Sequence, residues 1–277
     1  SARTAEKAPP TTGAYWYNRT REQRLVQTIV NKLAPGDKPR RGWRPNRREL
    51  PFTAYVTASQ DTWHGRDRRS RARTVTGLDR VVTFRSPADE AAWKKMGSPE
   101  LEEWSARPRT NDYDFRDADL TDNQRRSEPG ALARLPTGVK ELEAVLRSWH
   151  RADRRESIEA DGVAPVSAFA ETVFYEGLNV LSGAARPGTR AAYYRLLAAQ
   201  PGITMLGEVT DLLGRRGVAL EVRSGGVKSH RLIIDPGTAR LLGYEGYIPD
   251  PGGGGPVRAM AQAVQAEGWV NALGERP

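Results

Sequence analysis

Three histidines, His64, His150 and His230, are the residues best suited to general acid–base or metal chemistry, but they stand far apart, with none in an HExxH or similar ligand spacing. No GxSxG elbow, SxxK pair, Walker A loop or GxGxxG fingerprint accompanies them. His230 alternates with Leu232 and Ile234 and reads as a packed strand residue; His150, after Trp149, reads as a cation at a helix end. The acids Asp112, Asp114, Asp117, Asp119 and Asp122 resemble a calcium loop in spacing only, since the central glycine and closing glutamate are missing. With no cysteine, thiolate metal sites and cysteine nucleophiles are excluded. No catalytic residue, metal site or cofactor is therefore assigned. An extracellular hydrolase with dispersed acids is the alternative, and it requires Glu171 or Glu176 to converge with His64 or His230 in one pocket.

Two binding signals remain. Arg40, Arg41, Arg44, Arg47, Arg48, Arg66, Arg68 and Arg69, interleaved with Trp43, Tyr55 and Trp63, suit an anionic surface: a membrane, a cell-wall polyanion or, less well because no recognised module is present, a nucleic acid. Tyr15, Tyr17, Phe52 and Tyr55 on strands, facing Phe169, Val173 and Leu178 on a helix, suit an apolar crevice for a lipid or acylated ligand.

The elements that must position these residues follow from periodicity. Ala14–Thr20, Gln23–Asn31, Phe52–Gln60, Asp61–Arg66, Arg71–Thr76 and Leu78–Arg85 have strand composition, with Arg21-Glu22 and Thr76-Gly77 expected as turns and 35–51 as a loop. Pro87 opens a helix to Met96, and a second short one is expected around Leu101 and Trp104. Residues 107–129 read as an exposed loop with room for one short strand or helix. Val139, Leu142, Val145, Leu146 and Trp149 define one helical face, and 151–164 an exposed connection. Pro165 begins an amphipathic helix through Leu181, and another spans Thr189–Gln200. Strands are expected at Ile203–Thr210, Val218–Arg223, Val227–Asp235 and Ala239–Tyr247, with a type II turn at Asp235-Pro-Gly-Thr238. Val257–Leu273 fits a helix or a closing strand.

The chain has 277 residues and a net charge of +9. Residues 1–85 carry 19 basic against 7 acidic side chains, so the positive charge is concentrated in the first third. No apolar run approaches the roughly 20 residues of a membrane-spanning helix. Strand blocks flanking a helical block, without alternating βαβ units, define an α+β fold with an antiparallel sheet.

The stretches LPTGVKELEAVLR (135–147), RPGTRAAYYRLLAAQPGITMLGEVTDLLGRRGVALEV (186–222) and RLIIDPGTARLLGYE (231–245), with GAYWYNRT (13–20) and GERP (274–277) near the ends, resemble a family of actinobacterial membrane-anchored extracytoplasmic proteins, often encoded beside extracytoplasmic-function sigma factors. The resemblance implies a membrane segment before residue 1, a tail or linker over 1–13 and one exported domain over 14–277. In that domain come strands 14–85, helices 87–200, a meander 203–247 and a Gly-rich spacer with a C-terminal segment over 252–277. It also implies a sensory role with a regulatory protein partner. More distantly, the strand–helix–strand order is similar to LolA/RseB-like half-barrels, in which a curved antiparallel sheet wraps helices.

Overall fold

The computed structural model describes residues 2–3, 12–30, 47–67, 70–101, 107–114, 121–161, 168–225, 228–250 and 254–277. The chain forms strands β1 (Tyr15–Val30), β2 (Arg47–Gly65) and β3 (Arg71–Phe84), helix α1 (Pro87–Lys95) and strand β4 (Arg109–Asp114). Helices α2 (Asp122–Arg126), α3 (Pro129–Leu132), α4 (Val139–Asp161), α5 (Phe169–Leu181) and α6 (Pro187–Ala199) follow. The chain then returns to strands β5 (Ile203–Thr210), β6 (Arg216–Ser224), β7 (Lys228–Ile234), β8 (Leu241–Ile248) and β9 (Val257–Val270).

The fold class is α+β: the nine strands among the described residues belong to one curved, unclosed antiparallel sheet in the order β4-β3-β2-β1-β9-β8-β7-β6-β5. Within 257–273 the chain forms a strand, β9 (Val257–Val270), and it is the link that joins the two strand blocks, pairing with β1 on one side and β8 on the other. Register shifts near Thr28, Ser59, Gly207 and Tyr247 bend the strands and increase their twist.

The first three strands are longer than their composition suggested. Arg21-Glu22 is no turn; both residues lie inside β1, paired with Ser59 and Ala58. Thr76-Gly77 likewise lies within β3, where Gly77 (φ 72°) and Asp79 (φ 49°) form an irregularity instead of a reversal. Between 107 and 129, where an exposed loop with one short strand or helix was expected, the structure places both the short β4, exposed throughout, and the short α2. Leu101 is buried outside any helix, and 102–106 lie outside the described residues. Helix α4 continues to Asp161, into the expected connection. At 235–240 the positive φ belongs to Ala239 (58°) and not to Gly237. The Asp235 carboxylate shapes that turn by accepting from Gly237 N at 2.8 Å and Thr238 Oγ1 at 2.6 Å.

The helices cover one face of the sheet, here called the inner face. Leu142, Leu146, Phe174, Leu181, Tyr193 and Leu197 pack against Val222, Leu232, Ile234, Leu241 and Tyr244. Gly177 lets α5 approach closely, since a Cβ there would lie 3.2 Å from Leu232 Cδ1 and 3.3 Å from Tyr193 Cε1. A separate cluster of Val26, Phe52, Ala54, Val56 and Leu101 is covered by α1. Ser86 caps that helix: its Oγ accepts from Asp89 N at 3.2 Å, and Asp89 Oδ1 accepts from Thr53 N at 2.9 Å, tying α1 to β2. Ser86→Ala should lower stability by about 1 kcal/mol, read as a lower urea midpoint; an unchanged midpoint would show that the cap contributes nothing.

Candidate functional site: a polar cavity on the inner face

Strand geometry sends alternate residues to opposite faces. On the inner face of β2, Phe52, Ala54, Val56 and Ala58 are apolar, but the next three inward positions are Gln60, Thr62 and His64. Their partners on β1 are Thr20, Asn18 and Trp16, each directly opposite in the antiparallel register. The change from apolar to polar coincides with a gap in the helical cover. There a cavity of about 360 Å³ opens, floored by these six residues with Gln262 of β9 and Ala72 of β3. Its walls are Asn179, Ser182, Gly183 and Ala184 at the end of α5, the segment from Gln124 to Leu132, and the β2–β3 connection with Gly65, Asp67 and Ser70.

Two glycines draw the walls together. Gly130 N donates to Arg66 O at 2.7 Å, and a Cβ at this position would fall inside contact distance of that oxygen. A Cβ on Gly183 would meet Leu132 Cδ1 at 2.5 Å. The floor is pinned from the α5 side, because Ser182 O accepts from both Trp16 Nε1 (3.1 Å) and Asn18 Nδ2 (3.3 Å). The Asn18 amide is thereby oriented, and its buried Oδ1 has no partner. Gln60 donates to Thr62 Oγ1 at 3.2 Å, and Gln262 to Glu22 Oε1 at 3.0 Å.

The electrostatics of this cavity oppose those of the chain. Among the described residues no lysine or arginine lines it, whereas Asp67 and Glu128 do. His64 is open to the cavity yet enclosed by protein on its other sides, and this desolvation lowers its pKa from the ordinary histidine value, so the neutral ring is favoured. Among the described lining residues, amides, hydroxyls and an imidazole thus offer many neutral hydrogen-bonding groups.

The residues singled out for an apolar crevice do not meet in one place. Tyr15 and Tyr17 lie on the outer face with Trp63 and Val270, and Tyr55 shares that face. Phe52 is under α1, while Phe169, Val173 and Leu178 belong to the core between α4–α6 and the other half of the sheet. Among the basic residues, Arg66 sits 5.3 Å above the Trp269 ring. Arg47 and Arg48 begin β2, opposite Val30 and Ile29. Arg40, Arg41, Arg44, Arg68 and Arg69 lie outside the described residues.

The histidines separate as well. His150 is in the middle of α4 and not at its end; its Nδ1 lies 2.7 Å from Thr172 Oγ1, and burial lowers its pKa. His230 meets Tyr244 Oη at 2.6 Å and the Tyr175 ring edge-on at 5.1 Å, with its pKa lowered by burial. Glu176, whose pKa burial raises, bonds with Asn179, and neither it nor Glu171 nor His230 lines the cavity holding His64. The convergence that a hydrolase required is not formed there. Asp112 pairs with Arg73 through two bonds of 2.6 and 2.8 Å, and Asp122 opens α2; Asp117 and Asp119 lie outside the described residues. Among the described residues no group of three His, Cys, Asp or Glu side chains could hold a metal ion.

Sequence reasoning missed Asn18, Thr20, Gln60, Thr62, Asn179, Ser182 and Gln262. The available signal was the alternation itself: Trp16-x-Asn18-x-Thr20 and Gln60-x-Thr62-x-His64 put polar groups at every second position of strands long enough to be covered on both faces.

The fold and this cavity define an α+β protein with an open antiparallel sheet and, on its helix-covered face, a recess floored by polar side chains. The chain matches no protein-family model and no curated protein. Among the described residues no helix is long and apolar enough to cross a membrane.

Proposed function

We propose that this protein is a ligand-binding, sensory module whose inner-face cavity takes a small molecule rich in hydroxyl and amide groups. The observation that carries the reading is the replacement of apolar by polar inward side chains where the helical cover parts. Burying Asn, Gln and Thr in a sheet face costs free energy unless their hydrogen bonds are met, and a ligand can meet them. Trp16 offers an apolar wall to one side of such a molecule, and the size falls within the range of ordinary small-molecule sites, about 300–1,000 Å³.

The unclosed sheet around helices supports kinship with LolA/RseB-like half-barrels. The setting we propose is the exported, membrane-tethered one of the actinobacterial family resembled in sequence, with a regulatory protein as the receiver of the signal. The amides and hydroxyls of the floor suit a polar ligand, and Trp16, Ala72, Leu132 and Ala184 supply apolar wall for its less polar face.

Native mass spectrometry of the protein, incubated separately with the aqueous and the lipid extract of a high-GC Gram-positive bacterium, tests this. A discrete adduct from the aqueous extract, lost in Gln60→Trp while the folded mass persists, is the expected result. An adduct from the lipid extract alone would overturn the polar-ligand reading in favour of an acyl ligand, and no adduct from either would overturn both.

A further inference from the structure

Beside the polar cavity lies a second one of about 180 Å³, sharing Trp16 and Ala184 with the first and holding Arg66, Arg186, Arg190 and Trp269 in its wall. Among the described residues no carboxylate lines it. We propose that it is a subsite for an anionic group, a phosphate or carboxylate. Resting on the ligand-binding reading above, the molecule held by the first cavity carries that group.

The three guanidinium groups are held by largely neutral partners. Arg186 Nη2 donates to Leu135 O at 2.8 Å, and Arg66 stacks over the Trp269 ring at 5.3 Å. Arg190 Nη1 is 3.9 Å from Glu267 Oε1, the outer limit of an ion pair, and that same oxygen is also 3.5 Å from Arg240 Nη2. Positive charge gathered in a recess and poorly neutralised repels itself, and an entering anion relieves that repulsion. The planar fork of arginine matches the paired oxygens of phosphate and carboxylate. The neighbouring cavity differs in its described lining, which holds Asp67 and Glu128 and no lysine or arginine. One ligand is therefore oriented: its neutral hydroxyl and amide part lies over Asn18 and Gln60, and its charged end lies past Trp16 among the arginines.

Inorganic phosphate, N-acetylglucosamine and N-acetylglucosamine 1-phosphate serve as probes, titrated into the whole chain at low salt while the indole N–H signals of Trp16 and Trp269 are followed by NMR. Phosphate is expected to move both signals, and the sugar phosphate to bind about tenfold more tightly than the sugar, the worth of one charge-assisted hydrogen bond. Arg66→Gln and Arg190→Gln should each weaken phosphate about tenfold and leave the neutral sugar unchanged. The Arg66 side chain is exposed, so its variant keeps the test valid where Arg190→Gln disturbs the core. Phosphate that fails to bind, or binds equally to both variants, overturns the subsite even if the sugar binds. Arginine-dependent phosphate binding with no adduct at the first cavity supports the subsite and removes the shared ligand. Arginine-dependent flotation on phosphatidylglycerol vesicles, with no binding of free phosphate, would assign a lipid headgroup and overturn the small-ligand form.

Discussion

Asp61→Ala is expected to destabilise the protein by about 3 kcal/mol, the lower end of what removing one partner from a buried charged network costs. Asp61 is wholly buried on the outer face of β2. Its Oδ1 accepts from Tyr17 Oη at 3.0 Å and from Arg19 Nη1 at 3.3 Å, and its Oδ2 from Arg276 Nη2 at 2.7 Å. Arg276 belongs to the C-terminal tail, which folds back over this face. There Glu275 O accepts from Trp63 Nε1 at 2.6 Å, and Leu273 packs on the cluster of Tyr17, Trp63 and Val270. Without the carboxylate the Tyr17 hydroxyl is stranded, because its side chain is 1% exposed and water cannot replace the acceptor. Arg19 and Arg276 can turn toward solvent, which keeps the cost at the lower end. Arg276→Ala, whose side chain is 58% exposed, should cost less, about 1 kcal/mol. Urea unfolding of the wild type and both variants gives the comparison. A loss below that of Arg276→Ala would show that Asp61 does not organise this face. Tyr17, Asp61 and Trp63 alternate with the inward residues Asn18, Thr62 and His64, so the tail holds the reverse side of the strands that floor the cavity.

The second large effect is a pH dependence set by Glu267. This side chain lies on the inner face opposite Asn18, its Oε2 is buried without a partner, and burial raises its pKa to about 7 against the partial opposition of Arg240 and Arg190. The native state keeps the proton up to about pH 7, whereas the unfolded chain releases it near 4.5. Between those values the native state binds more protons, so stability falls as pH rises; the contribution is fully present below the unfolded value and lost through the folded one. At about 1.4 kcal/mol per unit, the loss across the window is about 3 kcal/mol. His64, His150 and His230 act in the other direction, since groups held below their ordinary value stabilise fully above pH 6.5 and lose that contribution on acidification. The difference between wild type and Glu267→Gln isolates the carboxyl. Unfolding free energies from pH 4 to 8 should diverge, with the variant the more stable at pH 8. Parallel curves would show that Glu267 titrates normally.

Much of the local structure was legible in the sequence. The apolar spacing of Val139, Leu142 and Leu146 gave α4, the amphipathic run through Leu181 gave α5, and the four strands expected over 203–247 are β5 to β8. The starts of the long strands were harder to join. Arg21-Glu22 looks like a connection because charged residues mark solvent, yet both are inside β1, where Glu22 meets Gln262 and Arg21 meets Ser59 across the sheet. Such partners lie 240 and 38 residues away, beyond the reach of any sequence window.

The sequence by itself determined an α+β chain with an antiparallel sheet, the helical block between two sets of strands, and the absence of thiol chemistry. Only the tertiary structure decided that β9 joins the two sets into one sheet, that Asn18 and Thr62 face a cavity while Tyr17 and Asp61 face the tail, and that Arg66 stands with Arg186 and Arg190. The physical reason is that a period of two states which residues share a face but leaves open which face is covered. What covers each face, and where that cover parts, is set by long-range pairing and by helices packing from elsewhere in the chain.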